Sequence, residues 1–301
     1  MTDRFDLICS ALQRCLPGGI LLREEPLAKH TSFHIGGPCR IFAQPASAEE
    51  LAAAMAFLRG ESVPFALLGN GTNVLCADEG FDGVIVHTGL LQQLCVTGTQ
   101  ITAECGVLLS KLANTAAASG LTGLEFAHGI PGSVGGAISM NAGAYGGEMV
   151  QVTDSVTYLT TDGEIRTVPG ADCDFSYRHS RFQNGETVLS AVFRLTEGDE
   201  KAIRDTMADL NRRRREKQPL ELPSAGSAFK RPVGGYAAAM IDQCGLRGYR
   251  VGNAAVSEKH TGFIVNLGGA TCADVLAVMD AVREKVSAQC GVLLEPEIRR
   301  I

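Results

Sequence analysis

Apolar residues recur at helical spacing near the start of the chain. Phe5, Ile8, Leu12 and Cys15 share one face of residues 3–16, which predicts a short amphipathic helix stopped by Pro17-Gly18-Gly19. Residues 38–44 read as a strand. Ser47-Ala48-Glu49-Glu50 has the spacing of a capping box and opens a helix to about Arg59. Short apolar runs predict strands near 65–68, 84–87, 92–96 and 99–104. A helix from about 107 to 119 ends at Gly120, a residue suited to the left-handed position after a helix. Further strands are expected near 152–160, 164–168 and 187–195, with Asp162-Gly163 turning the chain between the first two. Asp199 begins a charged helix to about Lys217, and Pro219 and Pro223 break the chain after it. A helix near 235–243, a strand near 262–266, a helix near 271–289 and a strand near 292–300 complete the pattern. No βαβ unit repeats, so the expected class is α+β. The shift in composition near 197–199 marks a domain boundary. We expect a lead-in over 1–32, one domain over 33–198 and a smaller α/β domain over 199–301.

One stretch has neither periodicity. From Phe126 to Gly147, seven of 22 residues are Gly and none is Asp, Glu, Lys or Arg. A buried helix would lose about 1 kcal/mol at each Gly relative to Ala, and a membrane span would be more uniformly apolar. Uncharged backbone this rich in glycine suggests a close approach to a ligand, with successive N–H groups forming an anion-binding nest. A second glycine turn, Gly69-Asn70-Gly71-Thr72-Asn73, follows directly on the apolar run Pro64–Leu68, and a strand running into such a turn is a usual place to hold a phosphate. Neither turn is followed by Gly-Lys-Ser/Thr, and neither has the dinucleotide pattern G-x-G-x-x-G. Two cradles suggest a ligand with two phosphates. The alternative is two tight turns without a ligand.

Composition narrows the class. At 301 residues the chain is long enough for two or three domains, and 45% hydrophobic residues can fill their cores. The net charge of −6 argues against nucleic acid as a partner. The N-terminus has early acidic residues and no apolar run behind them, so no signal peptide is expected, and no membrane span is visible. The ten cysteines show no C-x-x-C spacing, so zinc is not expected; a cytoplasmic chain would keep these thiols reduced, most as small core residues. The run Arg212-Arg213-Arg214-Arg215 could meet a phosphate, but the plainer reading is a solvated helix face near a C-terminus.

Six motifs occur in order: Thr31–Pro38 (TSFHIGGP), Leu68–Leu75 (LGNGTNVL), Gly129–Ala137 (GIPGSVGGA), Tyr177–Phe182 (YRHSRF), Ser224–Lys230 (SAGSAFK) and Leu294–Arg299 (LEPEIR). Together they closely resemble the UDP-N-acetylenolpyruvoylglucosamine reductases, flavoenzymes that complete UDP-N-acetylmuramate in bacterial cell-wall synthesis. The resemblance covers nearly the whole chain. It implies a two-part FAD-binding domain of the vanillyl-alcohol-oxidase type, followed by a smaller substrate domain. It implies noncovalent FAD, NADPH as co-substrate and UDP-N-acetylglucosamine enolpyruvate as substrate, in a cytoplasmic monomer. Gly69, Asn70, Gly71, Thr72 and Asn73 would face the pyrophosphate of FAD. Gly129, Ile130, Pro131, Gly132, Ser133, Val134, Gly135, Gly136 and Ala137 would face it too, and their later part would also pass the flavin. His34 and His128 are then polar or packing contacts rather than points of flavin attachment.

Catalytic roles follow from the same resemblance. Ser227 matches the family's proton donor, and Arg178 and Glu297 match the pair beside the enolpyruvyl group. Hydride would pass from flavin N5 to the vinyl carbon, and the neighbouring carbon would then take a proton. Taken alone, Ser227 reads better as a turn or cap serine, and Glu297 as a surface partner of Arg299 or Arg300; the ordered match to the family reverses that. The interval between Arg178 and Ser227 resembles the shorter form of the family, which lacks an inserted fold and its substrate-closing tyrosine. Tyr177, Lys217, Lys230, Arg231, Arg247 and His260 lie where substrate contacts are expected; Arg231 stands where an asparagine is common. Two other readings remain: an FAD oxidase of the same fold acting on a sugar or lactone, and a nucleotide-binding protein without catalysis.

Overall fold

The computed structural model describes residues 4–301, so Asp3 of the first predicted helix lies outside the described residues. In chain order the elements begin with helix α1 (Arg4–Cys15), strands β1 (Ile20–Pro26) and β2 (Pro38–Gln44), and helix α2 (Ala48–Gly60). Strands β3 (Phe65–Leu68), β4 (Val74–Leu75), β5 (Phe81–His87), β6 (Leu94–Thr97) and β7 (Gln100–Glu104) lead to helix α3 (Leu109–Ala118). Then come β8 (Leu121–Thr122), helix α4 (Val134–Ser139), β9 (Gly143–Ala144), β10 (Gly147–Glu148), β11 (Thr153–Leu159), β12 (Ile165–Pro169), β13 (Thr187–Arg194) and β14 (Thr196–Glu197). Helix α5 (Glu200–Lys217), α6 (Ala237–Gln243), β15 (Arg250–Val251), β16 (Ala254–Val256), β17 (Ile264–Asn266), α7 (Cys272–Cys290) and β18 (Arg299–Arg300) close the chain. The class is α+β, as the pattern predicts. The largest sheet is antiparallel with order β12-β11-β13-β7-β6, and a four-stranded sheet has order β1-β2-β5-β3 with β3 and β5 parallel.

The chain divides into two compact units, each assembled from three separate segments. Among the described residues, unit 1 holds 4–23, 41–70 and 83–213, and unit 2 holds 24–40, 71–82 and 214–301. Each has its own apolar core. In unit 1, α1 contributes Phe5, Ile8 and Leu12, α2 contributes Leu51, Met55 and Leu58, and the five-stranded sheet contributes Ile101, Val156, Leu189 and Phe193. In unit 2, Phe33, Ile35 and Leu75 pack with Ile241, Val256, Ile264, Val275, Val282 and Leu294.

The helix signals act largely as read. Ser47 accepts from Glu50 N at 3.2 Å. Glu50 does not complete the box on Ser47; its carboxylate accepts instead from Ala46 N at 2.8 Å and Gly18 N at 2.7 Å, joining the end of α1 to the start of α2. Gly120 has φ +65° after α3. Two expectations change. The predicted strand over 292–300 reduces to Arg299–Arg300, paired parallel with β4. Pro296 has no N–H to give a ladder, and residues 294–298 instead run beside 228–230 through single pairings. The glycine-rich segment is not wholly irregular, because α4 forms inside it. Gly135 is required there by packing: a Cβ at this position would lie 2.9 Å from Cys105 Cβ.

Candidate active site

Two of the six motifs lie in unit 1 and three in unit 2, and the chain passes from one unit to the other within Leu68–Leu75. In unit 1 the strand β3 ends in Gly69-Asn70, and Asn70 Nδ2 donates to Pro131 O at 2.5 Å. A Cβ on Gly69 would come within 2.7 Å of Ser133 Oγ. The two predicted cradles are therefore neighbours, joined by an amide side chain that sequence reading assigned only to ligand. Within the second cradle, Val134 N–H donates to Val107 O and Gly135 N–H to Cys105 O, both at 2.8 Å. These two amides tie the turn to the protein rather than face an anion. The N–H groups of Gly129, Gly132, Ser133 and Gly136 have no backbone acceptor among the described residues. Ser133 Oγ is fully buried and has no hydrogen-bond partner among them. An unpartnered buried hydroxyl costs roughly 1–3 kcal/mol, so a hydroxyl left this way between two glycine turns fits a site that a bound phosphate completes. Gly71, in unit 2, has φ +63°, and a Cβ there would run into His30 O, so only glycine fits.

His128, at the entrance to the second cradle, lies 2.6 Å from Asn211 Nδ2 through its Nδ1. An amide donor at Nδ1 leaves the proton on Nε2. Burial lowers the pKa of His128, with the Asn211 contact opposing.

The Tyr177–Phe182 motif is also in unit 1. Ser176 and His179 exchange two backbone hydrogen bonds of 3.1 Å, making a tight turn with Tyr177 and Arg178 at its tip. Arg178 has φ +56°, and its guanidinium lies 5.0 Å from the centre of the exposed Tyr177 ring. Gln183 Nε2 donates to Arg178 O at 3.0 Å.

The other motifs meet in unit 2. Ser32 N donates to Gly71 O, and Ser32 Oγ donates to Ser224 O at 2.6 Å. Ser227 forms a bridge with Phe263, and Phe229 with Pro296. Glu297 N donates to Ala228 O at 2.9 Å, so the backbone at Glu297 is fixed one residue beyond Ser227. Asn73 holds the same segment: its Nδ2 donates to Glu297 O at 3.2 Å, and its carbonyl accepts from Arg299 N at 2.9 Å. Asn73 was read as a cofactor contact; its structural role here had no signal in sequence beyond its place in a turn. Ser227 and Glu297 are both partly exposed.

The expected substrate contacts differ in their engagement. Lys230 pairs with Glu295 at 3.3 Å, and Arg247 pairs with Asp242 at 2.8 Å, which raises the arginine's pKa. Arg231 stacks over Tyr236, 4.1 Å from the ring centre. Lys217 is exposed at the end of α5. His260 Nδ1 accepts from Gly262 N at 3.2 Å, and burial lowers its pKa. Of the four-arginine run, Arg212 and Arg213 pair with Asp209 at 2.5 and 2.6 Å on an exposed face. Among the described residues no group of His, Cys, Asp and Glu could hold a metal ion, and no helix is long and apolar enough to cross a membrane.

Comparison with known proteins matches two segments of the chain to known families. Residues 39–169 match a family described as FAD binding domain. Residues 218–301 match the UDP-N-acetylenolpyruvoylglucosamine reductase, C-terminal domain. The reductase of that name from Caldanaerobacter subterraneus subsp. tengcongensis is 48% identical over 295 residues, covering 98% of both chains. That from Clostridium novyi is 48% identical over 274 residues, covering 91% of this chain and 89% of the relative. The crystal structure of the Thermus caldophilus reductase superposes with a TM-score of 0.80 at 35% identity, covering 94% of this chain and 98% of that one. With a flavin-binding segment, a reductase-specific C-terminal segment and full-length relatives at this identity, the chain belongs to the UDP-N-acetylenolpyruvoylglucosamine reductase family.

Proposed function

We propose that this protein reduces the enolpyruvyl group of UDP-N-acetylenolpyruvoylglucosamine to the lactyl ether of UDP-N-acetylmuramate, using noncovalent FAD and NADPH. The observation that carries the assignment is the pairing of two distant motifs in unit 2, which sets the Glu297 backbone against Ala228, next to Ser227. Gly69–Asn70, Ser133 and the open amides of Gly132 and Gly136 would hold the FAD pyrophosphate. Bound FAD supplies a hydride to the vinyl CH2 carbon.

The electron pair displaced from the double bond then rests on the neighbouring carbon and its carboxylate. Arg178 is assigned to that carboxylate, because a fixed guanidinium offers several donors where charge develops and is worth most away from water. Ser227 is assigned to deliver the proton to the carbon bearing the ether oxygen, which gives the lactyl ether. A hydroxyl is a weak acid, so the basicity of the intermediate must drive the transfer. Glu297 is assigned with Arg178 to the enolpyruvyl group. Tyr177, Lys217, Lys230, Arg231, Arg247 and His260 are assigned to the nucleotide sugar. The carboxylate partners of Lys230 and Arg247 are exposed. Exposed ion pairs hold weakly, so a diphosphate could displace them at small cost. A diphosphate sugar and NADPH are both too highly charged to pass a membrane unaided, which favours action in the cytoplasm. One chain carries every assigned residue, so a monomer suffices.

The test is Ser227→Ala followed by stopped-flow absorbance. Flavin reduction by NADPH should stay near the parent rate. Reoxidation by UDP-N-acetylenolpyruvoylglucosamine should slow by roughly 10²–10⁴-fold, the usual worth of a positioned general acid. Equal slowing of both halves would remove Ser227 from proton delivery. Rapid oxygen consumption with a sugar alcohol would favour the oxidase reading instead.

A further inference from the structure

Arg178 sits in a conformation that its own backbone disfavours. The Cβ of a non-glycine residue disfavours the left-handed region, and such a residue persists there where the surroundings over-determine it. Apart from Ser180, those surroundings come from outside the recognised motifs. Gln183 Nε2 donates to Arg178 O at 3.0 Å and to Ser139 O at 2.8 Å. Asn141 Nδ2 donates to Ser176 O at 3.1 Å and to Glu148 Oε2 at 3.0 Å, while its Oδ1 accepts from Val150 N at 3.0 Å. Ser180 Oγ donates to Ser139 O at 2.9 Å. Asn141 is 1% exposed and itself has φ +40°. The bonds from Gln183 and Ser180 to Ser139 O and from Asn141 to Ser176 O tie the arginine turn to the C-terminal end of α4, while Glu148 and Val150 hold the Asn141 side chain in place. The N-terminal end of the same helix is the glycine cradle at Ser133–Gly136.

We infer that Gln183 and Asn141 are positioning residues that lock the turn carrying Arg178 to α4, so that the arginine and the cofactor cradle form one piece. The inference rests on the assignment of Arg178 to the enolpyruvyl carboxylate. Its chemical sense is geometric: a donor displaced by about 1 Å from a developing charge can cost around a hundredfold in rate. The six-residue helix gives a short path between the two sites, and two side-chain amides span the gap from its end to the turn.

The test is a double-mutant cycle on Gln183, which is only half-buried. Gln183→Met keeps the length of the side chain and removes both donors. It should slow flavin reoxidation by UDP-N-acetylenolpyruvoylglucosamine roughly ten- to a hundredfold. Flavin content and reduction by NADPH should stay within about twofold of the parent. In an Arg178→Ala background the same substitution should change reoxidation by less than about twofold, because the group it positions is gone. Asn141→Gly is the second arm; it tolerates the φ of +40°, loses the donor to Ser176 O, and should give the same split. Equal slowing of reoxidation with and without Arg178 would overturn the inference, as would parallel losses of flavin content and reduction. A parent-like Gln183→Met beside a slow Arg178→Ala would sink the brace alone. A parent-like Arg178→Ala would sink the assignment of Arg178 and the brace with it.

Discussion

At the scale of single residues, the two well-placed histidines are held neutral by burial rather than by partners. His260 is desolvated, and Arg247 adds to the lowering while the residue's own backbone opposes it. Its Nδ1 is occupied by Gly262 N–H, so the proton lies on Nε2, which can donate to a phosphate or ribose oxygen without carrying charge. The sign of the stability effect follows. Below the ordinary value of 6.5 the unfolded chain binds a proton that the folded chain resists, so stability is complete above that value and falls as pH drops through it toward the lower folded pKa. NMR titration of the His260 ring should give a pKa below 6.5 and the Nε2–H tautomer at neutral pH. A pKa above 6.5 would mean that a carboxylate, not apolar burial, governs the site. His128 should behave alike, since burial is its leading cause too. These states were not legible in sequence, because desolvation comes from packing and Asn211 lies 83 residues from His128 along the chain.

At the scale of elements, helix ends were legible where a side chain two or three residues away caps them, and obscure where the cap comes from elsewhere. Helix α7 has its own capping box in Thr271 and Asp274. It is also capped by Asp78, whose carboxylate accepts from Cys272 N at 2.7 Å and Ala273 N at 3.0 Å. Removing such a carboxylate leaves two first-turn donors to water and loses its favourable place at the helix N-terminus. Asp78→Ala should therefore lower stability by about 1 kcal/mol, as loss of an N-cap usually does. A urea unfolding curve should show an earlier midpoint with an unchanged slope. No change in midpoint would mean that the local box satisfies the helix unaided. The long helices α2, α5 and α7 were readable because each opens on a side-chain cap, and α3 because Gly120 marks its end. Two-residue strands such as β8, β15 and β18 have no period to read. The strand expected over 292–300 failed at Pro296, where chemistry visible in sequence outweighed an apolar pattern. Among site residues, the glycine turns and the Ser227 and Glu297 motifs were legible by type and order. The braces Asn141 and Gln183 were not, since a lone amide carries no signal until its partners are known.

At the scale of the whole molecule, each unit is built from three stretches of chain around its own core. No composition shift near 197–199 can reveal that residues 24–40 and 71–82 pack with the C-terminal stretch, because the short strands and turns they contribute look like any other. In the proposed function FAD is held noncovalently, with His34 and His128 as polar or packing contacts rather than points of flavin attachment. Acid precipitation should therefore release all the flavin into the supernatant, and colour in the pellet would contradict a noncovalent site. Neither glycine turn has the nicotinamide-binding fingerprint G-x-G-x-x-G, and no other segment supplies one. We propose that NADPH approaches the flavin where the enolpyruvyl group later lies. On that reading binding of the two is mutually exclusive, and the reaction divides into two halves. Initial rates at several fixed NADPH concentrations should give parallel double-reciprocal lines, the fingerprint of a ping-pong scheme, with each substrate inhibiting at high concentration by occupying the wrong enzyme form. Intersecting lines without such inhibition would mean that NADPH and the nucleotide sugar bind together, and that this chain has a nicotinamide subsite outside the recognised motifs.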